Sequence, residues 1–526
     1  MEKQHVVRVL RADFEAKRRY FEAAGDDESQ TFTLFTRAIG SDSRIHIGRI
    51  HFVPDPKELR NQSSVSIEPA REFQTTVYCV AHQTGMDIGD EHTHPFTEMP
   101  HFSGIDDHHG RQNALYLSEH LPEPATMLMT VFGRGMKRFQ AQVWNRKKKR
   151  FEPVQRFEII GSPMEILCEE EQTRRTGDDP YARHRIIPGW EQGRLEKLRV
   201  FVVGLGGNGA AVWQSLVGLG VGRGGGWLKG CDGDLVEASN LPRIPYAFAE
   251  DIGIPKAVVA QRYALRKTRD LNAICYQDSI TSEGMQQIAK EANVVIGAID
   301  NDGGRQIMSG IASRYLIVYL DLSTEIIPAS DSFEAVGQVR VVIPGKTGCL
   351  ICSGMVDPTE AALDLLPERA RQERAHAGYV RGSEETPTPS VSHLNGVTAH
   401  LAVSQLLRVV FGDAMDGKEF LHYDRKNCEM IVASCPPNPH CPVCGTRGYL
   451  GAGDADPQPT LTDEDGRIQR IRFLDGQIID EQAGKNIVSQ ENRPSGREAQ
   501  ATDAVPKDAG QIDSGVRTLC GETGRT

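Results

Sequence analysis

Apolar and polar positions alternate over short runs in the first part of the chain. The runs are rich in β-branched and aromatic residues, which is typical of strands. They lie at residues 31–36, 45–53, 74–80, 126–132 and 138–143. Helical patterns at residues 7–23 and 111–120 lie before and among them. Several strands with few helices predict an α+β fold for this part of the chain.

The second part of the chain alternates strands with helices. Apolar runs that predict strands lie at residues 200–203, 226–230, 294–299, 316–322 and 338–343. Helical patterns follow at residues 210–219 and 303–314, and a long amphipathic stretch leads up to Gly412. This alternation predicts a doubly wound α/β sheet, in which ligands bind at the carboxyl ends of the strands.

Composition divides the chain further. Residues 164–179 are charged and poor in apolar residues, so we predict a linker there, with domains at residues 1–163 and 180–450. Residues 451–526 are rich in small and polar residues, which predicts a largely disordered tail. One apolar patch in the tail, at residues 468–480, is consistent with a hairpin.

Charge and cysteine content narrow the class of protein. The 60 basic and 71 acidic residues include no long basic run, so we expect no nucleic-acid partner. The first residues are charged where a signal peptide would be apolar, and no apolar run reaches the roughly 20 residues that span a bilayer. Two Cys-x-x-Cys pairs among eleven cysteines favour metal binding over disulfides. We therefore expect a soluble cytoplasmic protein without a membrane partner.

A glycine-rich turn follows the first strand of the second part. Residues 204–209 read GLGGNG and lead into a helix, whose N-terminus can bind phosphate. Alone, this motif is also found in NAD and FAD sites. Asn240, Arg243 and Lys256 follow, and such groups stabilise charge on phosphates that react, whereas hydride transfer breaks no phosphate bond. Asp300 follows a strand and offers a carboxylate for magnesium.

The motifs GxGGxG, CDGD, SNLPR, DIGIPK and AIDN, in this order and spacing, resemble the adenylation domain of the ThiF/MoeB/ubiquitin-activating enzyme superfamily. The resemblance implies a Rossmann-like α/β domain that uses ATP and magnesium. It also implies the roles of individual residues. ATP would be cradled by Gly204, Gly206, Gly207 and Gly209, the ribose bound by Asp232, the phosphates contacted by Asn240, Arg243 and Lys256, and magnesium held by Asp300.

The segment Tyr181-Ala182-Arg183 is similar to the arginine-finger segment of the same superfamily. Members of the superfamily dimerise through the adenylation domain. The resemblance therefore implies a homodimer in which Arg183 acts across the interface.

The most informative segment of the first part is residues 91–107, EHTHPFTEMPHFSGIDD. His92 and His94 would project to the same side of a strand, and Asp106 can add an oxygen ligand. Three protein ligands leave a fourth position for water, which is the arrangement of a catalytic zinc site.

The full spacing, H-x-H-P, seven residues, serine, two residues and aspartate, resembles the JAMM (MPN/JAB) metallopeptidase motif. Members of that family cut peptide or isopeptide bonds after the C-terminal glycine of ubiquitin-like proteins. The resemblance implies zinc bound by His92, His94 and Asp106, with Ser103 donating to the oxyanion. It also implies Glu28 as general base, with Glu22 as the alternative. We interpret the neighbouring histidines as exposed loop residues; they are His101, His108 and His109.

Four cysteines in two widely separated pairs predict a structural zinc site; they are Cys349, Cys352, Cys441 and Cys444. Cys435 is a spare candidate. No cysteine occurs between Cys352 and Cys428, where thioester-forming relatives carry their catalytic cysteine. We predict that Cys428 is a buried structural thiol on a strand. The sequence thus supports adenylation more firmly than thioester transfer.

Together, the resemblances imply a JAMM/MPN domain followed by a ThiF-type domain in one bifunctional enzyme of a bacterial-type pathway. One half would process a small ubiquitin-like or sulfur-carrier protein, and the other would adenylate its C-terminal glycine. The alternative is sulfur-carrier activation for cofactor or amino-acid biosynthesis, with the JAMM half as processing peptidase or non-catalytic recruitment module. A conjugating enzyme is a further candidate partner.

Overall fold

The computed structural model of the chain describes residues 3–168, 179–268, 270–328, 332–366, 389–445, 447–455 and 471–472. Residues Met1–Ile487 form one compact unit, and the second unit, Val488–Thr526, lies outside the described residues. The predicted disordered tail therefore also lies mostly outside them. Of the predicted hairpin, residues Ile471–Arg472 are described, and they form a short strand.

The first region, residues 3–168, is called the barrel. Its strands are β1 (Gln4–Leu10), β2 (Gln30–Ile39), β3 (Ser43–Phe52), β4 (Leu59–Ser63), β5 (Ser66–Pro69), β6 (Asp87–His94), β7 (Met127–Gly133), β8 (Phe139–Asn145), β9 (Arg150–Ile160) and β10 (Glu165–Cys168). Its helices are α1 (Arg11–Ala23), α2 (Arg71–Thr84) and α3 (Gly104–His120). Strand β10 occupies part of the segment predicted as a linker.

The strands close on themselves, with the order β1-β3-β2-β6-β7-β8-β9 and a further parallel pairing between β1 and β9. Closure leaves no open edge along most of this sheet. Successive residues of β7 belong to different cores, because Leu128 packs with Phe14 of α1, whereas Met127 and Met129 pack with side chains of α2 and α3.

The prediction that residues 7–10 belong to a helix was wrong, because they are the end of β1. Both faces of β1 are buried: Val6 and Leu10 pack in one core cluster, and Val7 and Val9 in another. A strand buried on both sides shows a continuous apolar run instead of alternation, so its pattern merges with that of the helix that follows.

The strand predicted at residues 74–80 was also wrong, because this segment belongs to α2. The prediction depended on the β-branched and aromatic residues of the segment. The buried side chains are Phe73, Val77, Val80 and Ala81, a spacing that places them on one face of a helix. Packing of this face against the barrel outweighs the intrinsic strand propensity.

The second region, described residues between 179 and 455, is called the parallel-sheet region. Its strands are β11 (Arg199–Val203), β12 (Trp227–Cys231), β13 (Ala273–Tyr276), β14 (Val294–Gly297), β15 (Val318–Pro328), β16 (Phe333–Val342), β17 (Phe420–Asp424) and β18 (Glu429–Ala433). Its helices are α4 (Ala182–Arg185), α5 (Gln192–Glu196), α6 (Gly207–Leu219), α7 (Lys256–Lys267), α8 (Glu283–Lys290), α9 (Asp302–Arg314), α10 (Pro358–Asp364) and α11 (Ser392–Phe411).

The order of this sheet is β13-β12-β11-β14-β15-β16-β17-β18. The first five strands are parallel, and the last three add in antiparallel fashion. The chain reverses direction across the sheet between β11 and β14, and this switch point is where such sheets bind ligands. The predicted α/β sheet is confirmed. A last short strand, β19 (Ile471–Arg472), pairs with the end of β3.

Among the described helices, α11 has the length and apolar composition that a membrane crossing would need. Its side chains are nevertheless largely buried inside the protein, including Leu394, Leu406 and Val409. It packs against α6 and against β15 and β16. A core helix passes the same test of length and composition.

Charged residues are buried where the barrel meets the parallel-sheet region. Glu158 accepts hydrogen bonds from Nε of Arg8 at 2.8 Å and from Nε of Arg156 at 3.2 Å. The same guanidinium groups donate to carbonyls of the parallel-sheet region, Arg8 to Tyr315 at 2.7 Å and Arg156 to Lys197 at 3.0 Å. Burial alone would raise the pKa of Glu158, but the two arginines lower it to about 2.

Candidate functional site

A glycine loop joins β11 to α6 at the switch point of the parallel sheet. Gly204 has a φ of +86°, and a Cβ there would lie 2.6 Å from the carbonyl oxygen of Ala298. Glycine is therefore needed for the turn. Gly206 immediately precedes the first helical residue, Gly207. The unpaired backbone N–H groups of the first turn of α6 therefore lie close to the carboxyl end of β11.

A cavity of about 730 Å³ opens beside this loop, at the carboxyl ends of β11, β12 and β14. Most of the residues predicted to bind nucleotide line it, namely Gly204, Gly206, Gly207, Asp232, Arg243, Lys256 and Asp300. The size and position of the cavity are those expected of a ligand site in an open α/β sheet.

Asp232 connects the end of β12 to the glycine loop. Its carboxylate accepts from the backbone N–H of Leu205 at 2.7 Å and of Asp234 at 2.9 Å. Burial raises its pKa, and the cation of Lys256, 3.9 Å away, opposes that rise. Lys256 Nζ also donates to Asp234 at 2.7 Å. Two carboxylates thus hold the ammonium group at the wall of the cavity.

Three predicted residues do not line the cavity. Gly209 faces the loop, and a Cβ there would lie 1.8 Å from the carbonyl oxygen of Gly204. Asn240 is buried, and its amide oxygen accepts from the backbone N–H of Glu237 at 3.3 Å. Arg183 is exposed on the short helix α4. Gly209 and Asn240 therefore shape the surrounding backbone, and Arg183 does not reach the cavity of its own chain.

Other polar residues line the cavity but were not predicted from the sequence; they include Asp278, Ser279, Thr281, Thr324, Asp364 and Asn395. Asp278 follows β13, so the rule that ligands bind at carboxyl ends of strands would have identified it. Thr324 donates to the amide of Asn395 at 3.2 Å, and Asn208 of the glycine loop donates to Thr324 at 3.3 Å. This chain of hydrogen bonds depends on tertiary contacts.

We expect Gly209→Ala to weaken ATP binding. The added methyl group would push α6 away from Gly204, and overpacking of this kind costs about 1–3 kcal/mol. Because the loop that the methyl group displaces is part of the nucleotide site, we expect affinity to decrease by roughly 5- to 150-fold, measurable by calorimetry. The matched control is Gly218→Ala on the same helix, where a Cβ meets no atom within 4 Å and binding should be unchanged. Equal affinity for both variants would contradict this prediction.

The parallel-sheet region is similar to proteins of known family. The profile of the ThiF family matches residues 181–443, half of the chain. The chain belongs to the ThiF family. The SAMP-activating enzyme E1 of Haloferax volcanii is 29% identical over 283 residues, which are 53% of this chain and 93% of that protein.

The sulfur carrier protein adenylyltransferase of Thermus thermophilus is 30% identical over 276 residues, which are 51% of this chain and 90% of that protein. Among solved structures, E. coli MccB is 18% identical, with a TM-score of 0.40 over 52% of this chain and 75% of that chain. The relationship to the ThiF family confirms the expected adenylyltransferase fold of the parallel-sheet region.

A second group of polar residues lies at the end of β6, in the barrel. One ligand atom from each of His92, His94 and Asp106 lies within 4.8 Å of the others. Nε2 of both histidines is 3.6 Å from an oxygen of Asp106. Nε2 of His92 is buried and has no hydrogen-bond partner. A buried imidazole nitrogen without a partner, facing a carboxylate and a second imidazole, fits a zinc ion.

Glu28 lies on the other side of this group. Its Oε1 is 3.7 Å from Nε2 of His94, and burial raises its pKa to about 7. The chain reaches this position because Gln30, at the start of β2, pairs with His92. Glu22, the alternative general base, is exposed on α1.

Ser103 precedes α3 and holds Asp106 in place. Its backbone N–H donates to Asp106 at 2.7 Å, and its hydroxyl accepts from the N–H of Asp106 at 3.1 Å. Burial alone would raise the pKa of Asp106, but His92 and the Ser103 hydrogen bonds hold it below its usual range. Asp106 is therefore a carboxylate at neutral pH, as a metal ligand must be.

Exposed apolar side chains surround the group; they are Phe96, Met99 and Ile105. The ring of Phe96 stacks on His94 at a centroid distance of 5.1 Å. The three neighbouring histidines, His101, His108 and His109, are exposed.

The four predicted cysteines form one cluster. Sγ atoms of Cys349 and Cys441 are 3.5 Å apart, those of Cys352 and Cys444 are 3.7 Å apart, and all four lie within 4.8 Å of one another. Four thiols at this separation fit a tetrahedral zinc site. The prediction that Cys428 is buried was wrong, because it is exposed, with a φ of +55°, at the turn between β17 and β18.

We expect Cys349→Ser to remove the zinc of the cysteine cluster and to lower the thermal midpoint of unfolding, because structural zinc contributes directly to folding. Metal content by mass spectrometry and a melting curve test this. Cys79→Ser, at an exposed cysteine outside the cluster, is the control and should change neither value. Unchanged zinc content in Cys349→Ser would contradict the assignment.

Proposed function

We propose that the chain is a bifunctional enzyme that adenylates the C-terminal glycine of a small β-grasp protein and also cleaves peptide or isopeptide bonds after that glycine. The first activity is supported by membership of the ThiF family and by relatives named as activating a sulfur carrier or SAMP. The cavity at the glycine loop carries this part of the proposal, because Lys256, Arg243 and the carboxyl ends of three parallel strands converge there.

In adenylation, an oxygen of the glycine carboxylate attacks the α-phosphorus of ATP, and the bond from that phosphorus to the bridging oxygen of pyrophosphate breaks. Arg243 and Lys256 would stabilise the charge that develops on the phosphoryl oxygens. Asp232 would accept a hydrogen bond from the ribose. Magnesium held at Asp300 would neutralise charge on the phosphates and orient them.

The second activity is proposed for the group around His92, His94 and Asp106. Zinc bound there would act as a Lewis acid for hydrolysis. Glu28 would take up the proton of the attacking water and pass it to the amine that leaves. Ser103 would hold Asp106 in place, and its hydroxyl would donate to the oxyanion.

The adenylate would then be used either for conjugation or for sulfur transfer. Relatives named as sulfur carrier adenylyltransferases favour sulfur transfer as the second candidate function. The absence of any cysteine between Cys352 and Cys428 is consistent with a chain that forms no thioester in the crossover. The exposed Cys428 is the first thiol after this stretch.

We further propose that the enzyme is a homodimer in which Arg183 completes the site of the partner. Arg183→Ala is then expected to reduce adenylation at least about 100-fold, as for loss of other groups that stabilise transition-state charge. Mixing Arg183→Ala with Asp300→Ala should restore activity, because one site of the mixed dimer keeps both residues. A mixture no more active than the average of the two variants would contradict the dimer.

The direct test of the proposed adenylation is ATP–pyrophosphate exchange with small β-grasp proteins encoded beside this gene. Exchange that requires one of them supports the proposal. The peptidase half is tested separately, with the same protein extended beyond its glycine, with and without a zinc chelator. Cleavage that survives complete zinc removal would contradict the zinc peptidase, and absence of cleavage with zinc present would leave the barrel as a recruitment module.

A further inference from the structure

The proposed metal site lies far from the contact between the two regions. His92 pairs with Gln30 at the start of β2, whereas the contact involves the other end of β2, where Ile39 donates its N–H to Asp454 at 2.8 Å. The nine-residue step along β2 corresponds to about 30 Å at roughly 3.3 Å per residue. The metal site and the contact are thus at opposite ends of the strand.

The nucleotide cavity is also remote from the contact between the regions, and it lies in the parallel-sheet region, away from the barrel. Asn395 near the start of α11 lines the cavity, whereas Val409 near the end of α11 accepts a hydrogen bond from Met164 of the barrel at 3.1 Å. Fourteen residues of helix rise about 21 Å. Consistently, Arg199 at the amino end of β11 donates to Ser43 of the barrel, and the cavity lies at the carboxyl end.

The contact between the regions is built as a fixed junction. It contains the buried Glu158 with its two arginines, and a shared apolar core in which Ile45 and Ile47 pack with Phe201 and Leu316. Separating the regions would remove the carbonyls of Tyr315 and Lys197 to which the two arginines donate, and buried charged donors left without partners are strongly unfavourable. A hinge motion at this junction would have to expose both the charges and the core.

A second connection crosses the same junction through residues 449–455, which follow the cysteine cluster. Asp454 accepts from Ile39 of the barrel and, at 2.8 Å each, from Lys290 and Tyr315 of the parallel-sheet region. Three donors, from β2, α8 and the residue that follows α9, therefore converge on Asp454 and hold the regions at one orientation. The structure offers no hinge, among the described residues, that would bring the two sites together.

We propose that the two sites act on separate, released molecules of the modifier, so that nothing is channelled within one chain. This inference rests on the proposed function. Hydrolysis adds water across the amide, giving a free amine and a glycine carboxylate, and that same carboxylate must then attack the α-phosphorus of ATP. An extended chain gains at most about 3.6 Å per residue, so reaching across the length of β2 alone would take roughly eight or nine residues beyond the bound modifier. A modifier seated at the metal site therefore has to leave and bind again at the nucleotide cavity.

The test is an isotope-dilution experiment on the wild-type full-length protein. The probe is a β-grasp protein that supports pyrophosphate exchange, labelled with nitrogen-15 and extended beyond its glycine. ATP and a 50-fold excess of the unlabelled mature protein are added, and intact-mass spectrometry measures the labelled share of the adenylate. If the modifier is released between the two reactions, the labelled share of the adenylate is expected to fall about 50-fold. It then equals the labelled fraction of all modifier in solution. A labelled share several-fold above the pool value would overturn the proposal.

Two half-reactions separate this inference from the proposed function. The extended protein without ATP must be cleaved, and the mature protein with ATP must be adenylated. If either reaction fails, the proposed function itself fails, and the inference falls with it. If both proceed, the labelled share alone decides between release and channelling. The experiment does not depend on oligomeric state, because transfer between the subunits of a dimer would also keep the label above the pool value.

Discussion

Asp300→Ala is expected to reduce ATP–pyrophosphate exchange by at least about 100-fold, the usual cost of removing a group that stabilises charge in the transition state. Asp300 follows β14 at the mouth of the cavity, where its carboxylate is exposed and available to a magnesium ion. Without that carboxylate, the phosphates of ATP would lose both neutralisation and orientation. ATP–pyrophosphate exchange, measured with a β-grasp protein that supports exchange by the wild type, gives the size of this loss directly.

The control for this variant is Asp416→Ala, which removes an exposed carboxylate outside the cavity and should leave exchange unchanged. Asp300→Ala should also keep full cleavage of an extended modifier, because the proposed metal site lies in the barrel. Exchange within threefold of the wild type in Asp300→Ala would show that another group holds the magnesium. Asp364, which lines the same cavity, would then be examined first.

Glu28→Gln is expected to lower cleavage of an extended modifier by about 100- to 10,000-fold, the range for loss of a general acid–base group. The amide has nearly the shape of the carboxylate but cannot take up a proton. Zinc content should remain unchanged, because His92, His94 and Asp106 are intact. Cleavage followed by gel and metal content by mass spectrometry together test the assignment.

Two further variants serve as controls for this prediction. His92→Ala should lose cleavage and also the zinc of the barrel, because it removes a ligand. Glu22→Gln changes an exposed glutamate on α1 and should affect neither property. If Glu28→Gln cleaves at the rate of the wild type, Glu28 is not the general base.

The strands and the chemistry that are local in sequence could be predicted well. The glycine loop with its flanking strand and helix, the two Cys-x-x-Cys pairs and the H-x-H segment each depend on residues that are neighbours along the chain. The glycine loop directly follows β11, and the H-x-H segment is the end of β6, so both motifs lie at the end of a strand. For these elements, pattern and spacing contain most of the information.

The features that were missed depend on contacts between distant residues. Closure of the barrel by pairing of β1 with β9 joins residues about 150 positions apart, as between Arg8 and Glu158. Cys428 was placed on a strand because apolar residues follow it, but the hairpin turn includes it. The fixed junction between the regions left no pattern in the predicted linker, because its buried charges, Arg8, Arg156 and Glu158, come from two strands outside the linker, β1 and β9.

The central claim is that the cavity at the glycine loop activates the C-terminal glycine of a small protein. The most direct measurement is ATP–pyrophosphate exchange with a small glycine-terminated β-grasp protein, compared with the same protein lacking its last glycine. The account predicts exchange with the complete protein and none above background with the shortened one. Exchange that is equal for both, or absent for every glycine-terminated candidate, would contradict it.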